Sequence, residues 1–373
     1  MIAFLIAAPL AAVAPLARGG ECDATGRARA AVLASFVADA ASMPLHWIYN
    51  TSQVASLVKA NRGDPAFYPH PSCPFYEYPF GEQSPYGQQS LLTLKVLSLA
   101  VGNHSAWTDA LPQKLEASYW DYYGKQGGSC TTTKGACYRD ASTKGFVAHV
   151  ARGEHWPRCG ANDDQANAIA HMVPVVARFA GADELLDHVA AVVRVTQNTD
   201  RAVAFALAAA RILEHAILHG GDPIGSSDGA ADADPALRAH GAVSAAVLAM
   251  RQPDRVHPTV HDGTLADRLE ALLSTASLNR SNFEVVQAVG QSCDYPNNLL
   301  SGAHLIAQGA PTYVDAVRQR ILAAGDSCSA NMFNGAVFGA LACDPARDWS
   351  RDVWLRKLLH RKDVLGETER LLS

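Results

Sequence analysis

An all-α fold follows from three features of this 373-residue chain. Alanine dominates its apolar residues, and alanine combines high helix propensity with a side chain small enough for close helix packing. Runs such as RAVAFALAAARILEHAI repeat their apolar residues at helical spacing. No segment shows a convincing period-two alternation of the kind a half-buried strand requires.

Residues 27–45 (RARAAVLASFVADAASMPL) read as the first helix, with Pro44 as its stop and HWIYN at its exit. Residues 62–86, RGDPAFYPHPSCPFYEYPFGEQSPY, form a proline- and aromatic-rich loop without helical periodicity. A long irregular loop in a helical protein usually has a binding role. Its Tyr68, Phe75, Tyr76, Tyr78 and Tyr86 either close over a ring or a sulfonium-like cation or pack on themselves as an Ω-loop, the commoner arrangement. Helices resume at 88–101 and 108–124, and a Gly/Cys/Thr-rich connection spans 125–160. The 162–181 segment opens with Asn162 or Asp163 as a cap and acidic residues in its first turn. Helices follow at 183–195, 200–219 and 236–251, then at 264–277, 282–291, 296–309, 311–324 and 331–342.

A formal charge of -5 and an apolar fraction of 49% describe a globular chain without the basic footprint of a nucleic-acid binder. Residues 1–20, MIAFLIAAPLAAVAPLARGG, read as a signal or targeting leader, because the apolar run Ile2 to Leu16 is too short to span a bilayer comfortably. That leader implies a secretory or organellar route, with a cytoplasmic chain that keeps its N-terminal arm as the alternative. Residues 21–373 then make the mature domain, and no later segment reads as an integral membrane helix. The eight cysteines contain no CxxC pair, which disfavours a zinc ribbon or a thioredoxin-like motif. Cys130 with Cys137 would close a short disulfide loop. Sequons at Asn50, Asn103 and Asn279 matter only on a secretory route.

Six short segments place polar groups beside a helix start or stop: DAASMPLH (39–46), YGQQ (86–89), NDDQ (162–165), TQNTD (196–200), QSCDYPNN (291–298) and GDSCS (325–329). Helix N-termini carry unpaired N–H groups and partial positive charge. Any one segment reads as plain capping. Six together point to a shared pocket.

In this order the segments resemble the ADP-ribosylglycohydrolase family across roughly residues 27–343. VADAASMPLHW is similar to the family's opening helix, and GDSCSANMFNGAVFGA to its closing Gly-Gly-Asp-Thr-Asp-Thr motif with a Gly/Ala helix behind it. MPLHWIYN, YGQQ, NDDQA, TQNTD and GQSC look closer to the J1-crystallin and selenoprotein J branch. The resemblance implies a single orthogonal helical bundle whose site holds two magnesium ions between helix ends. The departures bear on that site. The family's Thr-Asp-Asp-Thr motif falls on Tyr86-Gly87-Gln88-Gln89, which has no carboxylate. The closing motif keeps Asp326 but has Ser327, Cys328 and Ser329 after it, and the early acid falls near His46. Magnesium needs converging hard oxygens, so no cofactor is expected, with a weak residual magnesium site at Asp163 and Asp164 as the exception.

The resulting candidates for catalysis are Asp39, His46, Cys293, Asp326 and Cys328. Cys328 precedes a helix whose N-terminus lowers a thiol pKa, Cys293 faces the same cavity, and His46 titrates near neutral pH. The candidates for substrate binding are Trp47, Tyr86, Gln88, Gln89, Asp163, Asp164, Gln165, Gln197 and Asn198. Against these stand plainer roles: buried cysteines are usually small hydrophobes, and His46 beside Trp47 also suits a packed core. The expected function is an enzyme of hydrolase or lyase type acting on a small polar metabolite, by side-chain acid/base or thiol chemistry. The alternatives are a non-catalytic, crystallin-like structural or ligand-binding protein, and a metal-dependent ADP-ribosyl hydrolase.

Overall fold

The computed structural model describes residues 22–101, 110–124, 131–132, 135–220, 235–343 and 353–373. The leader at 1–20, Cys130 and the sequon at Asn103 lie outside them. The described chain is all-α, with one hairpin of two-residue strands, Thr131–Thr132 and Gly135–Ala136.

The centre of the molecule is an antiparallel pair, α1 (Ala24–Ser42) and α15 (Ser327–Leu341). Both are apolar on nearly every face, the mark of a helix surrounded by others. Their axes approach closely because small residues meet. A Cβ on Gly335 would stand 2.6 Å from the Ala38 Cβ and 2.9 Å from the Ala34 carbonyl, and one on Gly339 would stand 2.4 Å from the Ala34 Cβ. Asp23 caps α1 by accepting the Gly26 amide at 2.7 Å. A disulfide from Cys22 to Cys343 ties the start of α1 to the end of α15. Cys137 is also disulfide-bonded.

Around this pair stand α3 (Pro85–Val101), α6 (Asn167–Phe179), α8 (Asp200–His219), α9 (Pro235–Arg251) and α13 (Asn297–Gln308), with α4 (Leu111–Tyr119) and α7 (Leu185–Thr196) outside them. Helix α10 (Asp262–Leu272) packs on α9, α11 (Thr275–Leu278) and α12 (Asn282–Val289) on α13, and α14 (Tyr313–Leu322) on α15. Two segments, Ala24–Leu45 and α8, are long and apolar enough to cross a membrane, but 89% and 78% of their most apolar 18-residue stretches lie inside the protein. Both are core helices.

Three helices depart from the sequence reading. In α2 (Thr51–Ala60), capped by Asn50, only Val54 and Val58 are buried, too weak a stripe to register. Helix α5 (Ala141–Ala151) lies inside the expected 125–160 connection and starts on the Asp140 cap. A last helix, Arg361–Leu372, buries Val364, Thr368 and Leu371. Helix α6 also starts later than expected. Asp163 accepts the Gln165 amide at 3.1 Å in a turn, so the capping position passes to Ala166, which has no side-chain cap.

The aromatic loop 62–86 is fastened at both ends of its path. Phe67 and Ser72 donate their amides to Ala41 and Pro44 carbonyls at 2.8 and 2.7 Å. The C-terminal segment straps it from outside: Leu359 donates to the Gly81 carbonyl at 2.8 Å, and His360 Nε2 stands 3.0 Å from Glu82 Oε2.

Two glycine substitutions test the packing. Gly339→Ala forces a methyl onto Ala34 and is expected to destabilise by about 1–3 kcal/mol, the usual range for overpacking. Gly366→Ala, in the exposed C-terminal helix with nothing within 4 Å of the new Cβ, is expected to stabilise by about 0.5–1 kcal/mol. Chemical denaturation midpoints measured on both variants check the contrast.

Candidate functional site

The site forms where α1 ends against the start of α15. After a 3-10 turn at Met43–Leu45, the chain carries His46 and then Trp47, whose φ of 60° is rare for a bulky residue. Two backbone bonds hold this turn. Trp47 donates to the Gly325 carbonyl at 2.9 Å, and Gly325 donates to the Ile48 carbonyl at 2.8 Å. Ala324 and Gly325 are both left-handed at φ 68°. The Arg320 guanidinium, itself buried, secures the same loop through the Ala324 and Asp326 carbonyls at 2.9 and 2.7 Å.

This stitching presents His46 to the first turn of α15. The Cys328 amide donates to His46 Nδ1 at 3.1 Å. An acceptor Nδ1 places the neutral ring's proton on Nε2, which stands 3.5 Å from Asp326 Oδ1. Asp326 Oδ2 is taken by the Ser329 hydroxyl. Nε2 and Oδ1 are both buried without a hydrogen-bond partner. Asp39, one turn back on α1, accepts the Ser84 amide at 2.7 Å and its hydroxyl at 2.5 Å. Gly87 allows that approach, because a Cβ there would stand 2.2 Å from Asp39 Oδ2.

Burial governs the charges. It raises Asp39 to about 7 against the opposing Ser84 bonds, and Asp326 to about 6 against Ser329 and Arg320. It holds His46 well below its usual value, helped by the Arg320 charge, so the imidazole is neutral. The lowered thiol pKa expected for Cys328 does not follow. Its thiol donates to the Asp39 carbonyl at 3.6 Å, and burial plus the Asp39 and Asp326 carboxylates push it well above the ordinary range. The helix N-terminus is outweighed by desolvation. Cys293 is raised by burial and by Asp326 and Asp294, and burial lifts Cys73 to about 11.

The aromatic loop folds over this centre and not merely onto itself. Phe75, Tyr76 and Tyr86 meet Trp47 at ring-centroid distances of 5.4, 5.9 and 6.0 Å, all edge to face. Tyr138 closes the remaining side at 5.2 Å, and His46 stacks on Trp47 at 4.5 Å. Tyr138 escaped the sequence reading because nothing in a Gly/Cys/Thr-rich connection distinguishes it. Tyr68 instead packs beside His70. Tyr78 stacks on Tyr76 at 4.4 Å and reaches Gln88 at 3.4 Å.

The remaining candidates occupy neighbouring networks. Gln89 turns away into a buried set: it donates to Asp140 at 2.8 Å and accepts from Asn167 and His171 at 2.9 Å each. Asp140, Asn167 and His171 were not anticipated, since each reads locally as an ordinary helix residue or cap. Gln197 donates to Asp163 Oδ2 at 3.0 Å and to the Gln165 carbonyl at 2.8 Å, and burial raises Asp163 to about 6. Asp164 takes the Thr199 hydroxyl and the Arg201 guanidinium. Asn198 bonds Arg194 and the Pro157 carbonyl, which places it in the scaffold of the 157–165 segment. Thus Asp39, His46, Trp47, Tyr86, Cys293, Asp326 and Cys328 converge, Gln88 borders them, and the others form two adjoining polar clusters. Among the described residues, no group of three or more His, Cys, Asp or Glu is placed to hold a metal ion.

The chain is similar to known proteins in sequence and, for a solved structure, in fold. Crystallin J1A of Tripedalia cystophora is 28% identical over 311 residues, covering 82% of this chain and 84% of its own length. Crystallin J1B of the same organism is 32% identical over 204 residues, covering 53% and 61%. A solved structure described as an ADP-ribosylglycohydrolase-related protein complex matches with a TM-score of 0.56 at 15% identity, over 94% of this chain and 98% of that one, a likeness of fold. The ADP-ribosylglycohydrolase family profile matches residues 22–373, and the chain therefore belongs to that family.

Proposed function

We propose that this protein is a metal-independent enzyme of hydrolase or lyase type, acting on a small polar metabolite through Asp326 and His46. The observation that carries the reading is the pair Asp326 Oδ1 and His46 Nε2, 3.5 Å apart, buried and otherwise unpartnered beneath an aromatic wall. Buried, perturbed groups converging in one place are characteristic of catalytic sites. An ionised Asp326 serves as the base. The neutral His46 donates from Nε2 to an oxygen that gains charge in the reaction.

The residues present do not fit the two magnesium ions implied by the family motifs. Magnesium takes octahedral oxygen ligands, usually one or two carboxylates with waters. Here Asp326 has one unengaged oxygen, Asp39 is committed to Ser84, and the neighbouring motif position is a thiol. The Asp39 carboxylate also stands where a Cβ at Gly87 would go, so an aspartate in that motif position requires Asp39 to move. No step of the proposed reaction runs through a metal. Thiol chemistry at Cys328 or Cys293 has less support, because burial keeps both protonated. The Cys22–Cys343 disulfide supports an oxidising compartment for the mature chain.

A second reading has one specific observation in its favour. The two curated relatives are both named crystallins, which supports a structural or ligand-binding protein that retains the pocket without turnover.

The deciding experiment incubates the purified protein with a fractionated polar-metabolite extract, with and without EDTA, and follows each species by mass spectrometry. Turnover that survives EDTA and falls at least ~10²-fold in Asp326→Asn supports the enzyme; turnover abolished by EDTA, or none at all, sinks it. The pH profile carries a second expectation. Asp326 must lose its proton to act as base, and burial has raised it to about 6. The rate is therefore expected to rise with pH through an apparent value near 6, and a flat profile from pH 5 to 7 removes Asp326 from that role.

A further inference from the structure

The C-terminal segment that straps the aromatic loop carries charge that its own packing does not use. Residues 354–362, WLRKLLHRK, hold Arg356, Lys357, Arg361 and Lys362 and no acid, in a chain whose formal charge is -5. Lys357 Nζ stands 4.9 Å over the Phe67 ring, and His360 faces Glu82 at 3.0 Å. Arg356, Arg361 and Lys362 are exposed, and among the described residues none of the three has an ion-pair or hydrogen-bond partner. With Leu358, Leu359 and His360 they line an open cleft of about 490 Å³. The acid of that lining, Asp363, is already paired with Lys95 at 3.1 Å.

The cleft is fixed before any partner arrives. Trp354, Leu358, Val364 and Leu371 are buried beneath it. Trp354 meets Phe67 at 5.6 Å and Tyr313 at 6.1 Å, and the Leu359 amide donates to the Gly81 carbonyl at 2.8 Å. The cations are arginine and lysine, so the positive charge does not depend on a titration near neutral pH. A guanidinium fork takes a carboxylate through two parallel hydrogen bonds. Small-molecule pockets bury most of their ligand, whereas this cleft is open and its charges stand on exposed side chains. That arrangement suits a partner with several anions along one chain, as when arginine clusters recognise acidic motifs. Leu359, 55% exposed and between the cations in sequence, offers the same chain an apolar contact. A concave surface admits a peptide segment, whereas a bilayer is met by an apolar face buried among its headgroups.

We propose that the cleft at Arg356, Arg361 and Lys362 is a docking site for an acidic peptide segment of a partner protein, with an apolar side chain of that segment resting on Leu359. The assignment is independent of the reaction proposed at Asp326 and His46.

The test follows the fluorescence anisotropy of a labelled Glu-Glu-Leu-Glu-Glu-Leu-Glu-Glu peptide titrated with the full chain, beside its lysine-for-glutamate counterpart. Saturable binding of the acidic peptide alone is expected, weakening at least ~10-fold between about 50 and 300 mM salt as screening shortens the reach of the charges. An exposed ion pair contributes up to about fivefold in affinity. Arg361→Glu removes one and adds a repulsion, so it is expected to weaken the peptide ~10-fold or more. Arg268→Glu, an equal change of net charge at an exposed position of α10, is expected to leave binding within about twofold. Leu359→Ser is expected to weaken the peptide severalfold, with circular dichroism unchanged in every variant. No saturable binding at low salt overturns the inference. Equal weakening by Arg361→Glu and Arg268→Glu reports net charge alone and also overturns it. Mixed phosphatidylserine–phosphatidylcholine vesicles are the remaining probe: if they bind through Arg361 while the peptide does not, the cleft is a membrane contact and the peptide assignment fails.

Discussion

The contact between α1 and α15 is the constraint from which the remaining architecture follows. Two helices can touch backbone to backbone only where their side chains are nearly absent, and Gly335 and Gly339 lie on Ala30, Ala34 and Ala38. Because the pair is antiparallel, the exit of α1 must meet the entry of α15 at one end. At the other end the Cys22–Cys343 disulfide closes the same pair. His46 and Cys328, 282 residues apart in the chain, share a hydrogen bond for this reason.

Burial then decides the chemistry available at that junction. A carboxyl taken out of water holds its proton longer, an imidazole gives its proton up, and a thiol becomes inert. All three effects occur within a few residues: Asp39 and Asp326 are raised, His46 is neutral, and Cys328 is a thiol hydrogen-bonded to a carbonyl. The helix N-terminus at Cys328 works in the opposite direction but acts as a partial charge, and a partial charge does not offset full desolvation. The strained φ at Trp47 belongs to the same junction. It is held by the paired bonds to Gly325 and Ile48, and it puts the indole where four other rings can meet it.

The aromatic loop shows how a segment without regular structure is given one position. Its amides are taken by the Ala41 and Pro44 carbonyls on the inside, and the C-terminal segment binds Gly81 and Glu82 from the outside. Gly81 is essential to the outer contact, because a Cβ there would stand 2.0 Å from the Lys357 carbonyl. The loop thereby becomes a wall of the site, and its final turn supplies Ser84, the partner of Asp39.

Fold class, the long helices and the family are legible in the chain alone, because helical periodicity, alanine content and the motifs around Asp39, His46 and Asp326 are local patterns. So is much of the set of residues gathered at the junction, since a family motif carries position along with chemistry. Short helices such as α2 and α5 were not legible, because two buried residues in α2, and a Gly/Cys/Thr-rich setting around α5, leave too little periodicity to detect. The protonation of Cys328, the separation of Gln89 from Gln88, and the entry of Tyr138 into the aromatic wall are set by the folded arrangement. Each depends on what surrounds a side chain from distant parts of the chain. Desolvation, the direction of a helical side chain and the meeting of two loops are properties of packing, and spacing along a sequence does not record them.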